Sequence, residues 1–391
     1  MEKIKIIHIH DGSSKFILPS LRHFNTEDFE NNIVVFGNKN KLSPDLLPRI
    51  NILVDIPLDY ISMNKAIQDI VELCNSADLV ILYDLTFTKS LVADKLNPNV
   101  KIIWQFYGYE IYRKIEHLVY SPLSASIIKK NFSETVKLNL EKISDNLKYL
   151  RQYGVTRDQI FNKAVKRIDY FWGLSSYEYK WLNENWGSLP KFLQRPRVKR
   201  EQVEVQLSQK SNSIILGNNR NPFNNHLDLF NIIAPLQNPH NIKYKILFSY
   251  GISSIDSKYG KEVIHRASMI KNVTVIDKLL PREEFDKLYH NTSALVINGY
   301  RQMAMGNIFQ ALLSKVKVYM NEKNPIYTWL LSENFIIYSV EELATDIENN
   351  NIQLTEINAL HNINQYNIMS EKYSTANFHE QLKHIVNLKK I

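Results

Sequence analysis

The chain has 391 residues, 44% hydrophobic and 23% charged, with no low-complexity tract, which excludes a fibrous or disordered protein and makes two globular domains the default. Its single cysteine, Cys74, excludes an internal disulfide framework and suits a reducing compartment. The net charge of +8, with a pI near 9.1, favours anionic partners.

The N-terminal run M-E-K-I-K-I-I-H-I-H reads as a first strand, Ile4 to Ile9, with no signal-peptide cleavage site behind it. Charged or amide residues interrupt every apolar run well short of bilayer length. A cytoplasmic placement is therefore expected. Strands follow at Asn32 to Phe36, Asn51 to Val54, Leu79 to Tyr83 and Lys101 to Phe106, with helices at Phe16 to Phe24 and Lys65 to Asn75. Pro122 to Tyr153 has a long helical pattern, and Asp169 to Leu174 reads as the last strand of this half before a helix at Tyr177 to Asn185. Periodicity then fades into Pro190, Pro196 and a run of Lys, Arg, Gln and Ser, which predicts a linker over 191–212.

Alternation restarts with strands at Ile214 to Leu216, Tyr244 to Ser249, Val273 to Val275, Ala294 to Ile297 and Val316 to Met320. Helices near Leu227 to Leu236, Lys261 to Ile270, Arg282 to Tyr289 and Asn307 to Ser314 separate them. Alternating β and α elements predict parallel sheets with covered faces, hence an α/β protein of two doubly wound, Rossmann-like domains facing a cleft. The expected division is an N-terminal Rossmann-like domain over 1–190, a C-terminal Rossmann-like domain over 213–366 and a helical tail over 367–391.

Basic residues concentrate between Ser124 and Arg167, where Lys129, Lys130, Lys137, Lys142, Lys148 and Arg151 interleave with Ile127, Ile128, Leu138, Leu140, Ile143, Leu147 and Leu150. A solvated helical face and an anionic membrane surface both account for this stretch. Lys191, Arg195, Arg197, Lys199 and Arg200 form a second cluster. No zinc-finger spacing, RNP-type signature or G-x-x-G loop accompanies either, so nucleic acid is not the expected partner.

Candidate chemistry gathers where strands end. After Ile214 to Leu216 comes G-N-N-R-N-P-F-N-N-H, Gly217 to His226, whose Gly217-Asn218-Asn219 turn presents backbone N–H groups before a helix and reads as a phosphate cradle. Glycine-asparagine turns also occur where nothing binds. Ala294 to Ile297 runs into N-G-Y-R-Q-M-A-M-G-N, Asn298 to Asn307, where Arg301 and Gln302 precede a helix opening at Gly306-Asn307. Arg301 can give a forked, charge-assisted bond to a diphosphate, or pair with a neighbouring carboxylate. Two such loops in one domain favour the diphosphate. The N-E-K-N-P turn, Asn321 to Pro325, sets carboxamides suited to a sugar or pyrimidine edge beside them, and Tyr250-Gly251 is a third anion-compatible turn.

In the first half, Lys101 to Phe106 leads into Y-G-Y-E-I-Y-R, Tyr107 to Arg113. Glu110 there reads as a catalytic carboxylate that orients or deprotonates an acceptor hydroxyl, with Tyr107, Tyr109 or Tyr112 stacking on a sugar; the alternative is a carboxylate at a helix N-terminus. Asp11, in Asp11-Gly12-Ser13-Ser14, is the competing catalytic carboxylate. There is no Walker loop, G-x-G-x-x-G, G-x-S-x-G, H-E-x-x-H or D-x-D triplet, and no Cys-His cluster, so neither a metal nor a resident cofactor is expected. Phosphate loops without metal ligands point to a nucleotide-sugar enzyme whose leaving group is held by protein dipoles and arginine.

At these residues the sequence resembles the bacterial 4-acetamido-4,6-dideoxygalactose transferases of enterobacterial common antigen assembly, the TDP-Fuc4NAc:lipid II or 4-alpha-L-fucosyltransferase family. The resemblance runs from the first strand to about Tyr338 and rests on W-Q-F-Y-G-Y-E-I-Y, G-N-N-R-N-P-F-N-N-H, R-Q-M-A-M-G-N and N-E-K-N-P in that order. It implies a GT-B fold, a TDP-sugar in the C-terminal half and a polyprenyl-diphosphate-linked acceptor at the inner face of the membrane. The matching positions are Trp104, Gly108, Glu110, Tyr112, Gly217, Asn218, Asn224, His226, Gly251, Tyr259, Arg301, Gln302, Gly306, Asn324 and Pro325. Met303 and Ala304 stand where the family has glutamine and glycine, and the first-strand loop places Asp11 differently. The sequence thus leads to a peripheral-membrane, metal-independent glycosyltransferase. A non-catalytic nucleotide- or glycan-binding protein of the same fold and an epimerase-like enzyme acting on the nucleotide sugar are the rival readings.

Overall fold

The computed structural model describes residues 3–12, 14–129, 132–200, 205–236, 238, 240–251 and 253–387. Ser13 of the first loop, Lys130 of the basic stretch and tail residues 388–391 lie outside these. The strands are β1 Ile4–Asp11, β2 Phe29–Gly37, β3 Ile52–Asp55, β4 Leu79–Tyr83, β5 Lys101–Gln105, β6 Tyr170–Gly173, β7 Lys191–Gln194, β8 Ser211–Leu216, β9 Lys243–Leu247, β10 Val273–Ile276, β11 Thr292–Ile297, β12 Lys317–Met320 and β13 Tyr338–Ser339. The helices are α1 Ser14–Leu21, α2 Tyr60–Asn75, α3 Phe87–Lys95, α4 Tyr109–Tyr112, α5 Pro122–Ile128, α6 Phe132–Tyr153, α7 Arg157–Arg167 and α8 Ser176–Asn185, then α9 His226–Ile233, α10 Lys258–Met269, α11 Arg282–His290, α12 Met305–Leu313, α13 Pro325–Ser332, α14 Leu343–Glu348, α15 Glu356–Lys372 and α16 Thr375–Asn387. None of the described helices is long and apolar enough to cross a membrane.

The chain divides into two compact units, Met1–Lys114 with Asn131–Arg197 and Tyr373–Ile391, and Ile115–Lys130 with Val198–Lys372. In the first, seven parallel strands run in the order β3-β2-β1-β4-β5-β6-β7. In the second, six parallel strands run β10-β9-β8-β11-β12-β13. Parallel strands covered on both faces run predominantly apolar, as in β4, L-V-I-L-Y; β11, T-S-A-L-V-I, is also buried along its whole length, with the Ser293 hydroxyl bonded to Ser211 O. Each strand order reverses direction at one point, between β1 and β4 in the first sheet and between β8 and β11 in the second. Ligands of doubly wound sheets bind outside the carboxyl ends of the strands at that reversal.

Three expectations are corrected. The 191–212 segment is not all linker: Lys191 to Gln194 pair with β6 as the edge strand β7, so Asp169 to Leu174 does not hold the last strand of its unit. The helical pattern from Pro122 to Tyr153 is two helices in different units. Leu123, Ile127 and Ile128 of α5 pack on the second unit's core, whereas α6 belongs to the first. The tail is no separate body either. Helix α15 begins well before residue 367 and stays with the second unit, and α16 returns to the first, where Phe378 stacks on Trp172 with ring centroids 5.1 Å apart.

Candidate active site

In the second unit, β8 ends at Gly217, whose φ of +70° lies in the left-handed region, and a Cβ there would stand 2.6 Å from His226 Nε2. Only glycine fits. Fully buried Asn224 fastens the loop: its Nδ2 donates to Asn219 O and Oδ1 and to Asn221 O, and its Oδ1 accepts from Asn218 N at 3.1 Å. His226 opens α9, and its backbone N–H donates to Tyr259 Oη at 3.0 Å while Nδ1 lies 3.2 Å from the same hydroxyl. Burial lowers the imidazole to about 3, so it is neutral, and its buried Nε2, without a protein partner, points at Gly217. Asn218 reaches Tyr250 Oη at 3.3 Å, and Gly251, with φ of +140°, leaves room for Asn221 Oδ1.

An asparagine relay joins this loop to those after β11 and β12. Asn225 and Asn298 exchange side-chain-to-backbone bonds at 3.0 and 3.2 Å, Asn298 Oδ1 accepts from Asn321 Nδ2 at 2.8 Å, and Asn324 Nδ2 donates to Gly299 O and Arg301 O. Asn324 also caps α13 through Ile326 N. Arg301 lies over the Phe223 ring at 4.4 Å, and Tyr120 from the segment before α5 stacks on that same ring at 5.1 Å. Gln302 sits beside Arg301 at the half-buried loop, while Asn307, in the first turn of α12, stands next to the Tyr289 phenol. Ala304 sits at the N-cap of α12 with φ of +59°, a conformation that favours glycine. Arg200 donates to Gly306 O at 3.0 Å, adding a cation to this helix start that the motifs had not indicated.

In the first unit, Asp11 ends β1 and Asp84 follows β4, so both flank the strand reversal. Lys89 of α3, wholly buried, lies between them, 3.1 Å from Asp11 Oδ2 and 2.5 Å from Asp84 Oδ1, and also donates to Tyr83 O. Burial raises the Asp84 carboxyl to about 6 against the pull of the Lys89 ammonium, and Tyr109 hydrogen-bonds to it. Neither Asp84 nor Lys89 stood out in the sequence. An aspartate after an apolar run reads as a turn, and a lysine in a short helix as a solvated face.

Glu110 is enclosed. Its Oε1 accepts from Trp104 Nε1 and Tyr107 N, both at 3.3 Å, its Oε2 is buried, and burial raises the carboxyl to about 7. That places it to hold the turn at Gly108, where φ is +101°, whereas the Asp11 side chain is 37% exposed. Tyr112 is likewise enclosed and donates to Glu178 Oε1 at 2.7 Å. Tyr109 is the exposed aromatic of the loop, and Tyr107 lies near Arg195 at the end of β7. Among the described residues no group of three or more His, Cys, Asp or Glu side chains is placed to hold a metal.

No protein-family model matches the sequence, and no curated protein matches it. Solved structures do match over nearly the whole chain. A sucrose-phosphate synthase from Thermosynechococcus elongatus matches with a TM-score of 0.61 at 8% identity, covering 99% of both chains. The apo form of the lipopolysaccharide outer core galactosyltransferase WaaB matches at 0.58 and 12%, covering 99% of this chain and 100% of that one. An alpha-glucosyltransferase in complex with UDP matches at 0.55 and 11%, covering 98% and 100%. The chain has the GT-B glycosyltransferase fold.

Proposed function

We propose that the chain is a glycosyltransferase whose second unit binds a nucleoside-diphosphate sugar and whose first unit binds the acceptor. The observation that carries this reading is the placement of both residue sets at strand reversals: Gly217 and Arg301 loops after β8 and β11, and the Asp11, Asp84 and Lys89 triad after β1 and β4. The solved structure with UDP belongs to the same fold. In the transfer, an acceptor hydroxyl oxygen forms a bond to the anomeric carbon and the bond from that carbon to the diphosphate breaks. The leaving diphosphate takes its charge to Arg301 and to the N–H groups of the Gly217 loop, and the hydroxyl proton passes to the carboxylate pair. Enclosed Glu110 is a positioning residue in this account, and the direct role goes to Asp11 with Asp84.

The donor we propose is a TDP-linked deoxyamino sugar, 4-acetamido-4,6-dideoxygalactose or a related fucose-type sugar, and the acceptor a polyprenyl-diphosphate-linked saccharide of surface polysaccharide synthesis, used without a metal at the cytoplasmic face of the bacterial inner membrane. Helix α6 supports the membrane placement. Val136, Leu140, Ile143, Leu147 and Leu150 are all at least 40% exposed, and at about 3.6 residues per turn they fall within roughly 80° of arc. Lys137, Lys142, Lys148 and Arg151 flank that stripe and Glu134, Glu141 and Asp145 lie opposite, the pattern of a helix that lies in an anionic interface. Calorimetric titration with TDP tests the donor assignment: binding that depends on Arg301 supports it, and absence of binding refutes it. A non-catalytic binding protein of the same fold would bind TDP without transferring a sugar.

A further inference from the structure

Outside the strand ends, the first unit carries a cavity of about 360 Å³ lined by Tyr60, Asn64 and Gln68 of α2, Leu91 and Lys95 of α3, and Gln152 and Tyr153 at the end of α6. Its construction is specific. Tyr60, Asn64 and Gln68 recur at four-residue spacing, which puts them on one face of α2 beside the face that buries Ile67, Ile70 and Cys74. Tyr60 meets Tyr153 edge to face at 5.0 Å, and Tyr153 in turn packs on Phe87 at 5.0 Å and Tyr149 at 6.2 Å, so the two rims are held by a ring cluster.

The lining narrows the ligand. The side chains of Asn64, Gln68, Lys95 and Gln152 make no hydrogen bond or ion pair among the described residues, which leaves three carboxamides and an ammonium for a ligand. Most of these positions lie within helices whose backbone N–H groups are already bonded, so recognition must be by side chains; a phosphate cradle is not available here. A carboxamide both donates and accepts and so matches neighbouring hydroxyls, and a tyrosine ring takes the apolar face of a sugar. The volume is at the small end of ligand pockets, which run from about 300 to 1,000 Å³. An alkyl chain would leave the carboxamides unpaired, and a single ammonium is too little for a diphosphate.

We propose that this cavity is a saccharide-binding subsite, taking one or two neutral sugar units of a glycan and distinct from the residues assigned to transfer. It goes beyond the reading of the reaction and does not depend on it.

The test is saturation-transfer NMR with two probes, chitotriose and maltotriose, on the full chain. At least one should show contact through its ring protons, and that signal should persist in Asp11→Asn. Gln68→Ala, a helix-compatible change at an exposed site, and Tyr153→Ala should each weaken binding roughly fivefold. A thermal melt of each variant separates lost binding from lost folding, and Gln68→Ala remains decisive if Tyr153→Ala unfolds. No contact from either sugar, or contact that survives Gln68→Ala and Asn64→Ala undiminished, would overturn the proposal.

Discussion

Lys89 Nζ lies 2.5 Å from Asp84 Oδ1 with the lysine side chain wholly buried. A buried ammonium needs counter-charges, and Asp84 and Asp11 supply two, one of them open to solvent. Lys89→Met keeps the apolar stem and removes the charge. Stability should fall by roughly 3 kcal/mol, the low end for breaking a buried pair because Asp11 is partly hydrated. Urea denaturation measures this, and an unchanged midpoint and slope would show that the triad holds nothing together.

Gly217→Ala would press a methyl group towards His226 and strain a φ of +70°. We expect a loss of roughly 1–3 kcal/mol in stability, read by urea denaturation, and weaker TDP binding in whatever still folds. The opposite holds at Ala304, where φ is +59°: Ala304→Gly should raise stability by about 0.5–1 kcal/mol. A lower melting temperature would contradict that.

Arg301→Ala removes the charge carried over Phe223 and should weaken TDP by about 1.5–3 kcal/mol, roughly tenfold to over a hundredfold, in a calorimetric titration. Unchanged affinity would take Arg301 out of the donor site. Turnover should also survive EDTA, with the diphosphate held by arginine and backbone dipoles.

Glu110 couples stability to pH. Burial raises its carboxyl from 4.5 to about 7, so the folded chain holds that proton more tightly than the unfolded one. Its contribution is complete below 4.5 and is lost as the pH climbs through 7, up to about 3 kcal/mol. Glu110→Gln keeps the shape without the titration. Chemical denaturation from pH 5 to 8 should therefore show a shallower decline in the variant, and its turnover should fall far less than that of Asp11→Asn or Asp84→Asn.

Helix α6 makes the membrane proposal testable. Flotation with anionic liposomes should recover the protein at low salt and less of it at high salt. Replacing Leu140, Ile143 and Leu147, each more than half exposed, by Ser should reduce recovery without altering TDP binding. Equal flotation of parent and variant would place the docking face elsewhere.

The strands were legible because parallel sheets covered on both faces demand continuous apolar runs, as in Leu79 to Tyr83, which the structure forms as β4 without change. The Gly217 and Arg301 loops could be placed at strand ends because the apolar runs Ile214 to Leu216 and Ala294 to Ile297 stop just before them, as β8 and β11 do. Less could be read where a residue's meaning depends on a distant partner. Lys89 is a surface-type lysine until Asp11 and Asp84 enclose it, and Tyr112 is an exposed-looking aromatic until Glu178 takes its hydroxyl. Helical periodicity through Pro122 to Tyr153 carries no sign that Ser121 is bound to Asn225 and Asp228, which ties the start of α5 to the second unit. Edge strand β7, at four residues between prolines, is too short to show a period.

Mass spectrometry of acceptors incubated with a panel of TDP-sugars tests the central claim most directly. The account predicts that a polyprenyl-diphosphate-linked saccharide gains the mass of one deoxysugar residue, with TDP released in equal amount, and that Asp84→Asn abolishes the gain while TDP still titrates with the parent's affinity. TDP binding with no transfer from any donor to any lipid-linked acceptor would contradict it and leave a binding protein of transferase fold.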